Sequence, residues 1–142
     1  MITTILIAVD SSEHSFAAAR IGIELAKQLA ATATVLYVID EAKALPSPDT
    51  GIVIDEAVVV LKKEAEQILE SIRQLYGDAI IPLMPTGNPK TSIVQTAEEV
   101  GAQVIVLGSH GHSGLRHLLL GSTAEYVMRH SSIPVFIVPA TM

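Results

Sequence analysis

Thr3-Thr4-Ile5-Leu6-Ile7-Ala8-Val9-Asp10-Ser11-Ser12 is an apolar run closed by a carboxylate and two hydroxyls. A strand with one wet face alternates apolar and polar side chains. Ile5 to Val9 does not, which is the pattern of a strand covered on both faces in a parallel sheet. Working outward, Ala33 to Ile39, Ile80 to Met84, Gln103 to Leu107 and Pro134 to Val138 are further short runs rich in Val, Ile and Leu. With Thr3 to Val9 they predict five strands, and strands buried on both sides require helices on both sides.

The intervening segments have helical periodicity. Glu13 to Ala30 carries Phe16, Ala19, Ile23, Ala26 and Leu29 on one side, with Ser11 and Ser12 placed to cap it. Val58, Leu61, Ala65, Ile68, Ile72 and Leu75 form a second stripe, with Lys62, Lys63, Glu66 and Glu70 outside it and Gly77 as its stop. A third helix starts at Pro89, suited to a first helical turn, and buries Ile93, Val94, Ala97 and Val100 before Gly101. A fourth follows Gly121, where Ser122 and Glu125 have capping-box spacing. Strand and helix in strict alternation specify an α/β fold: an open parallel sheet with right-handed crossovers. Residues 42–51, with Pro46, Pro48 and Gly51, read as a surface connection in preference to a lid.

The chain has 142 residues, 49% of them hydrophobic and 17% charged. That predicts one folded domain over residues 1–142 with a core of its own. Nine basic against fifteen acidic residues give a net charge of −6 and no broad basic face, so nucleic acid and anionic membranes are not expected partners. The absence of cysteine excludes disulfides, thiolate metal sites and cysteine nucleophiles. The first apolar run is one strand long and lacks a basic lead-in, so a cytoplasmic location is expected.

In an open parallel sheet, ligands bind beyond the carboxyl ends of the strands, at the crevice where crossovers leave to opposite faces. Among the loops there, Gly108-Ser109-His110-Gly111-His112-Ser113-Gly114, continuing to Gly121-Ser122-Thr123, is the richest in anion-binding groups. Glycine permits close approach of backbone amides to a phosphate, and hydroxyls and helix-start amides donate to it. No acidic residue lies between Glu99 and Glu125, whereas Arg116 does. The spacing is neither a dinucleotide fingerprint nor a P-loop. His110, His112 and His117 have no carboxylate in the same loop and make a poor set for magnesium or manganese.

Gly108-x2-Gly111-x9-Gly121-Ser122 resembles the glycine signature of the ATP-binding branch of the universal stress protein family. The likeness runs from Ile5-Leu6-Ile7-Ala8-Val9-Asp10, through Val38-Ile39-Asp40 and Leu118-Leu119-Leu120-Gly121-Ser122, to Pro134-Val135-Phe136-Ile137-Val138-Pro139. The resemblance implies a Rossmann-like five-stranded sheet in the order 3-2-1-4-5, with ATP between the first and fourth strands. It implies that Ala8, Val9 and Asp10 line the adenosine, that Val38 packs on the base, and that Gly108, Ser109, Gly111, His112, Gly121, Ser122 and Thr123 surround the ribose and phosphates. Any magnesium or manganese would be held mainly by the phosphates and water. Ser11 stands where many relatives have glycine, and His112 where many have arginine. The second change replaces a permanent charge with one that ordinarily titrates near neutrality.

Other classes fit less well. A phosphorelay receiver needs an Asp after the third strand and a Lys after the fifth; those places read Met84-Pro85 and Val138-Pro139. No catalytic triad or paired carboxylates can be assigned, so nucleotide hydrolysis ranks below a regulatory binding module. A module that binds AMP, or no nucleotide tightly, and acts on a protein client is the alternative. Val135, Phe136, Ile137 and Val138 place apolar side chains on both faces of what the resemblance makes an edge strand. They predict a homodimer paired through it.

Overall fold

Alternate residues of the first strand, β1 (Thr4–Val9), serve different cores. Ile5, Ile7 and Val9 pack on one face of the sheet, and Leu6 and Ala8 on the other. A computed structural model, which describes residues 1–44, 54–110 and 120–139, shows what covers each face. Helices α1 (His14–Leu29) and α2 (Ile54–Tyr76) bury Ala18, Ala19, Ile23, Ala65, Leu69 and Ile72 on the first face. Helices α3 (Pro89–Glu99) and α4 (Ser122–His130) bury Ile93, Ala97, Ala124 and Val127 on the second. Both faces being dry, the strands have no reason to alternate polar with apolar residues.

The remaining strands are β2 (Thr32–Tyr37), β3 (Ile39–Asp40), β4 (Ile80–Leu83), β5 (Thr86–Gly87), β6 (Val104–Gly108) and β7 (Val135–Val138). The main sheet runs β4-β2-β1-β6-β7, all parallel. Counting its five members along the chain, this is the expected 3-2-1-4-5 order. The short strands β3 and β5 were not anticipated. Leu36 pairs with Leu83, and Ile39 with Thr86 in the same register, so β3 and β5 resume the β2–β4 ladder after a gap at Pro85. Proline has no amide hydrogen to give to a ladder, but its carbonyl accepts from Ile39 N at 2.8 Å.

Several helix details depart from the expected pattern. Leu75 is 65% exposed on α2, because the helix rolls Leu69 and Ile72 inward and carries Leu75 past the edge of the core. Neither Ser11 nor Ser12 caps α1; its N-cap position is Glu13, without a side-chain bond. Likewise Ser122 is the first residue of α4, not its cap. Gly121 holds the extended N-cap position, and Glu125 pairs with Arg129 at 3.1 Å instead of reaching back. At α3 the expectation holds: Pro89 occupies the first turn, and the Asn88 side chain accepts from Lys90 N at 2.9 Å. The 3-10 turn Glu41–Ala44 starts the connection after β3, and the rest of the 42–51 loop lies outside the described residues.

Candidate functional site

Strands β1 and β6 are neighbours, and the chain leaves their carboxyl ends in opposite directions. From β1 it passes through α1 towards β2; from β6 it passes through α4 towards β7. The divergence opens a cleft of about 240 Å³ above the sheet.

One wall is apolar. Ala8, Leu36, Val38, Ile93 and Leu107 line it, drawn from β1, β2 with its extension, α3 and β6. Uncharged, apolar surface of this kind suits a heterocycle. The β6–α4 junction also borders the cleft. Ser109 N donates to Val138 O at 2.8 Å, and Gly121 N donates to Ser109 O, so the end of β6 holds both the edge strand and the start of α4. The first helical bond of α4 runs from Glu125 N to Gly121 O at 2.9 Å. The amides of Ser122, Thr123 and Ala124 therefore precede the ladder, and all three residues line the cleft. Helix-start amides together with the positive end of the helix dipole favour an anion there. Because Ser122 is not the cap, its hydroxyl is not committed to that task.

The floor carries Asp10. Its Oδ1 accepts hydrogen bonds from Ser12 N at 2.8 Å, Ser12 Oγ and Ser15 Oγ at 2.8 Å, while Asp10 N donates to Ser15 Oγ at 2.6 Å. Beside it the α2 side of the cleft contributes Ser11, Tyr37, Lys43 and Glu64. Burial raises the Tyr37 phenol above its ordinary value of 10.0, against a lowering by its hydrogen bond with Ser11; the negative charges of Glu64 and Asp10 raise it further. The phenol thus enters the cleft as a neutral group at neutral pH.

Of the residues singled out in the sequence, Ala8, Val9, Asp10, Val38, Gly108, Ser109, Gly121, Ser122 and Thr123 all line this one cleft. Gly111 and His112 lie outside the described residues. The sequence reading missed Ser15, Tyr37, Lys43 and Glu64. Lys43 sits in the 3-10 turn that follows β3, and Glu64 lies within α2, whose docking brings it to the strand ends. Ser15 could have been found from its five-residue spacing to Asp10, one helical turn beyond the strand end. Among the described residues no three His, Asp or Glu side chains form a metal-holding group, and no helix is long and apolar enough to cross a membrane.

The family model described as the universal stress protein family matches residues 1–139. The chain belongs to the universal stress protein family. A curated relative, Universal stress protein YxiE of Bacillus subtilis, is 35% identical over 97% of this chain and 99% of its own. Among solved structures, universal stress protein UspA from Lactobacillus plantarum superposes with a TM-score of 0.86 at 28% identity, covering 96% of this chain and 97% of that one. MJ0577 of Methanocaldococcus jannaschii gives 0.85 at 30% identity, covering 98% and 96%. In this universal stress protein the five-stranded sheet and its flanking helices are thus the family's fold, and the cleft at the β1–β6 divergence is the candidate site.

Proposed function

We propose that this protein is a nucleotide-responsive regulatory module of the stress response that binds ATP in the β1–β6 cleft. The observation carrying this reading is the convergence of two unlike surfaces in one cleft: the apolar wall of Ala8, Val38, Ile93 and Leu107, and the leading amides of α4 at Ser122, Thr123 and Ala124. Adenosine has a face for the first, and its phosphates have oxygens for the second. Asp10, an acceptor when ionised, suits the hydroxyl or amino donors between them.

Gly108, Ser109 and Gly121 line the cup; in this reading Gly111 and His112, from the same glycine segment, also surround the phosphates. A magnesium or manganese ion would enter on the phosphates and contribute charge neutralisation. Two universal stress protein structures hold cAMP and dAMP; at 23% and 24% identity their likeness to this chain is one of fold.

The functional unit in this reading is a cytoplasmic homodimer. β7 lies at the sheet edge, with Phe136 44% exposed on one face and Val135 and Ile137 half-buried on the other. An unpaired apolar edge is stabilised by a second copy of itself. A protein client would read the nucleotide state or the dimer surface.

The experiment is calorimetric titration of nucleotide-stripped protein with magnesium ATP, with AMP as the comparison. Tighter binding of ATP supports phosphate recognition by the α4 start. Equal affinity for AMP moves recognition to the nucleoside, and no binding of either assigns the glycine segment to turn formation and the function to protein contacts.

A further inference from the structure

The start of α1 breaks a local rule. Two serines and an aspartate stand within a turn of it, yet the N-cap position is Glu13, and no side chain caps the helix. Ser, Asp and Asn are the residues that normally satisfy the first amides of a helix. Here Ser12 and Ser15 turn towards the strand end. Ser12 donates twice, from N at 2.8 Å and from Oγ, and Ser15 Oγ donates once at 2.8 Å, all to Oδ1 of Asp10. Ser15 Oγ also accepts the Asp10 amide at 2.6 Å, gripping backbone and carboxylate together. Both serines are buried, at 7% and 6% exposure, so these bonds are shielded from competing water. A locally favoured cap forgone for a tertiary arrangement marks a functional constraint more often than an accident.

We infer that Ser12 and Ser15 are positioning residues that fix the Asp10 carboxylate with Oδ1 occupied and Oδ2 presented to the ligand. An ionised carboxylate only accepts. Three donors fill Oδ1, no described residue donates to Oδ2, and Asp10 lines the cleft, which leaves Oδ2 as the oxygen to meet hydroxyl or amino donors of a nucleoside. Without the serines, the carboxylate would rotate about its side-chain torsions and lose that alignment on binding. The inference rests on the nucleotide reading above.

Its test is a double-mutant cycle read by calorimetry with magnesium ATP, using Ser15→Ala, Asp10→Ala and the combination, with melting temperatures as a folding check. Ser15→Ala is expected to weaken ATP at least about fivefold in the parent and less than about twofold in the Asp10→Ala background, because its effect passes through the carboxylate. Ser15→Thr, which keeps the hydroxyl, is expected to retain affinity within about twofold of the parent. If Ser15→Ala does not fold, Ser12→Ala takes its place in the cycle. Equal losses in both backgrounds, or no loss in the parent, would overturn the positioning role while leaving nucleotide binding intact. A parent chain that binds neither ATP nor AMP overturns the cleft reading and this inference together.

Discussion

The amide of Gly121, at the start of α4, donates to the carbonyl of Ser109, just past β6, and so ties the helix start to the strand end across the glycine segment. Gly121 has φ −66° and ψ 159°, an extended conformation open to any residue. Glycine is not needed there for backbone freedom, which leaves space beside the cup as its use.

Gly121→Val therefore separates fold from binding. Valine can take the extended backbone and keep the bond to Ser109, while its branched side chain obstructs approach to the amides of Ser122 and Thr123. The expected outcome is a folded variant with a lowered melting temperature, valine being a poorer N-cap than glycine, and ATP affinity reduced about fivefold or more, a loss of about 1 kcal/mol that lies within the worth of one hydrogen bond to a charged group. Calorimetry on the folded variant checks it; unchanged affinity would falsify the phosphate cup.

Gly22 on α1 presents the opposite case. A Cβ at that position would stand 2.7 Å from Ile7 Cγ1 and 3.3 Å from Val106 Cγ1, and both neighbours are fully buried. Alanine gains about 1 kcal/mol of helix propensity. Overpacking in a filled core costs about 1–3 kcal/mol, so Gly22→Ala should lower stability by roughly 1 kcal/mol net. Urea denaturation should show an earlier midpoint, with the slope unchanged.

At the sheet edge, Pro134 O accepts from Ile105 N and Val138 O from Ser109 N, so β7 turns these even-numbered carbonyls towards β6. Parallel pairing alternates, which turns the amide of Ile137 outward. Ile137→Pro removes an outward donor and spares the internal ladder. Light scattering should move from twice the 15.1 kDa chain mass to the chain mass itself, with the far-ultraviolet dichroism retained. A variant that remains dimeric would place the contact elsewhere.

Tyr37 ties stability to alkaline pH. Its folded-state pKa lies above the unfolded value, mainly through burial, so above pH 10.0 the unfolded chain loses its proton first. The contribution is complete below that pH and is lost as pH rises through the folded-state value. Tyr76, raised by its own burial, acts in the same direction. Denaturation midpoints should fall on the alkaline side of pH 10.0, and Tyr37→Phe should flatten that fall without abolishing it. An identical slope in the variant would show that Tyr37 is not linked.

Much of the architecture was legible along the chain because it rests on local periodicity. Five apolar runs, all but the short third without alternation, demanded cover on both sheet faces, and four intervening segments carried helical stripes to supply it. Pro89 and Gly77 marked a helix start and a helix stop through backbone restrictions that operate wherever those residues stand. The position of the glycine segment after β6 followed from the same order of elements.

The failures were of a different kind. Ser12 and Ser122 each have the chemistry of a cap, but the chosen partner depends on which acceptor or donor lies within 3 Å in the folded chain. For Ser12 that partner was Asp10, and at α4 the extended backbone of Gly121 took the cap position. β3 and β5 were too short for any periodic signal and exist because the β2–β4 register carries past Pro85.

The sequence by itself determined a parallel α/β sheet in this family and the loops that would meet at its strand ends, since burial periods and backbone preferences are properties of neighbouring residues. Tertiary structure alone decided that Gly121 and not Ser122 precedes α4, and that Tyr37, Lys43 and Glu64 join the cleft. Those relationships are directional contacts between groups brought together by packing, and a hydrogen bond has no partner until the fold supplies one.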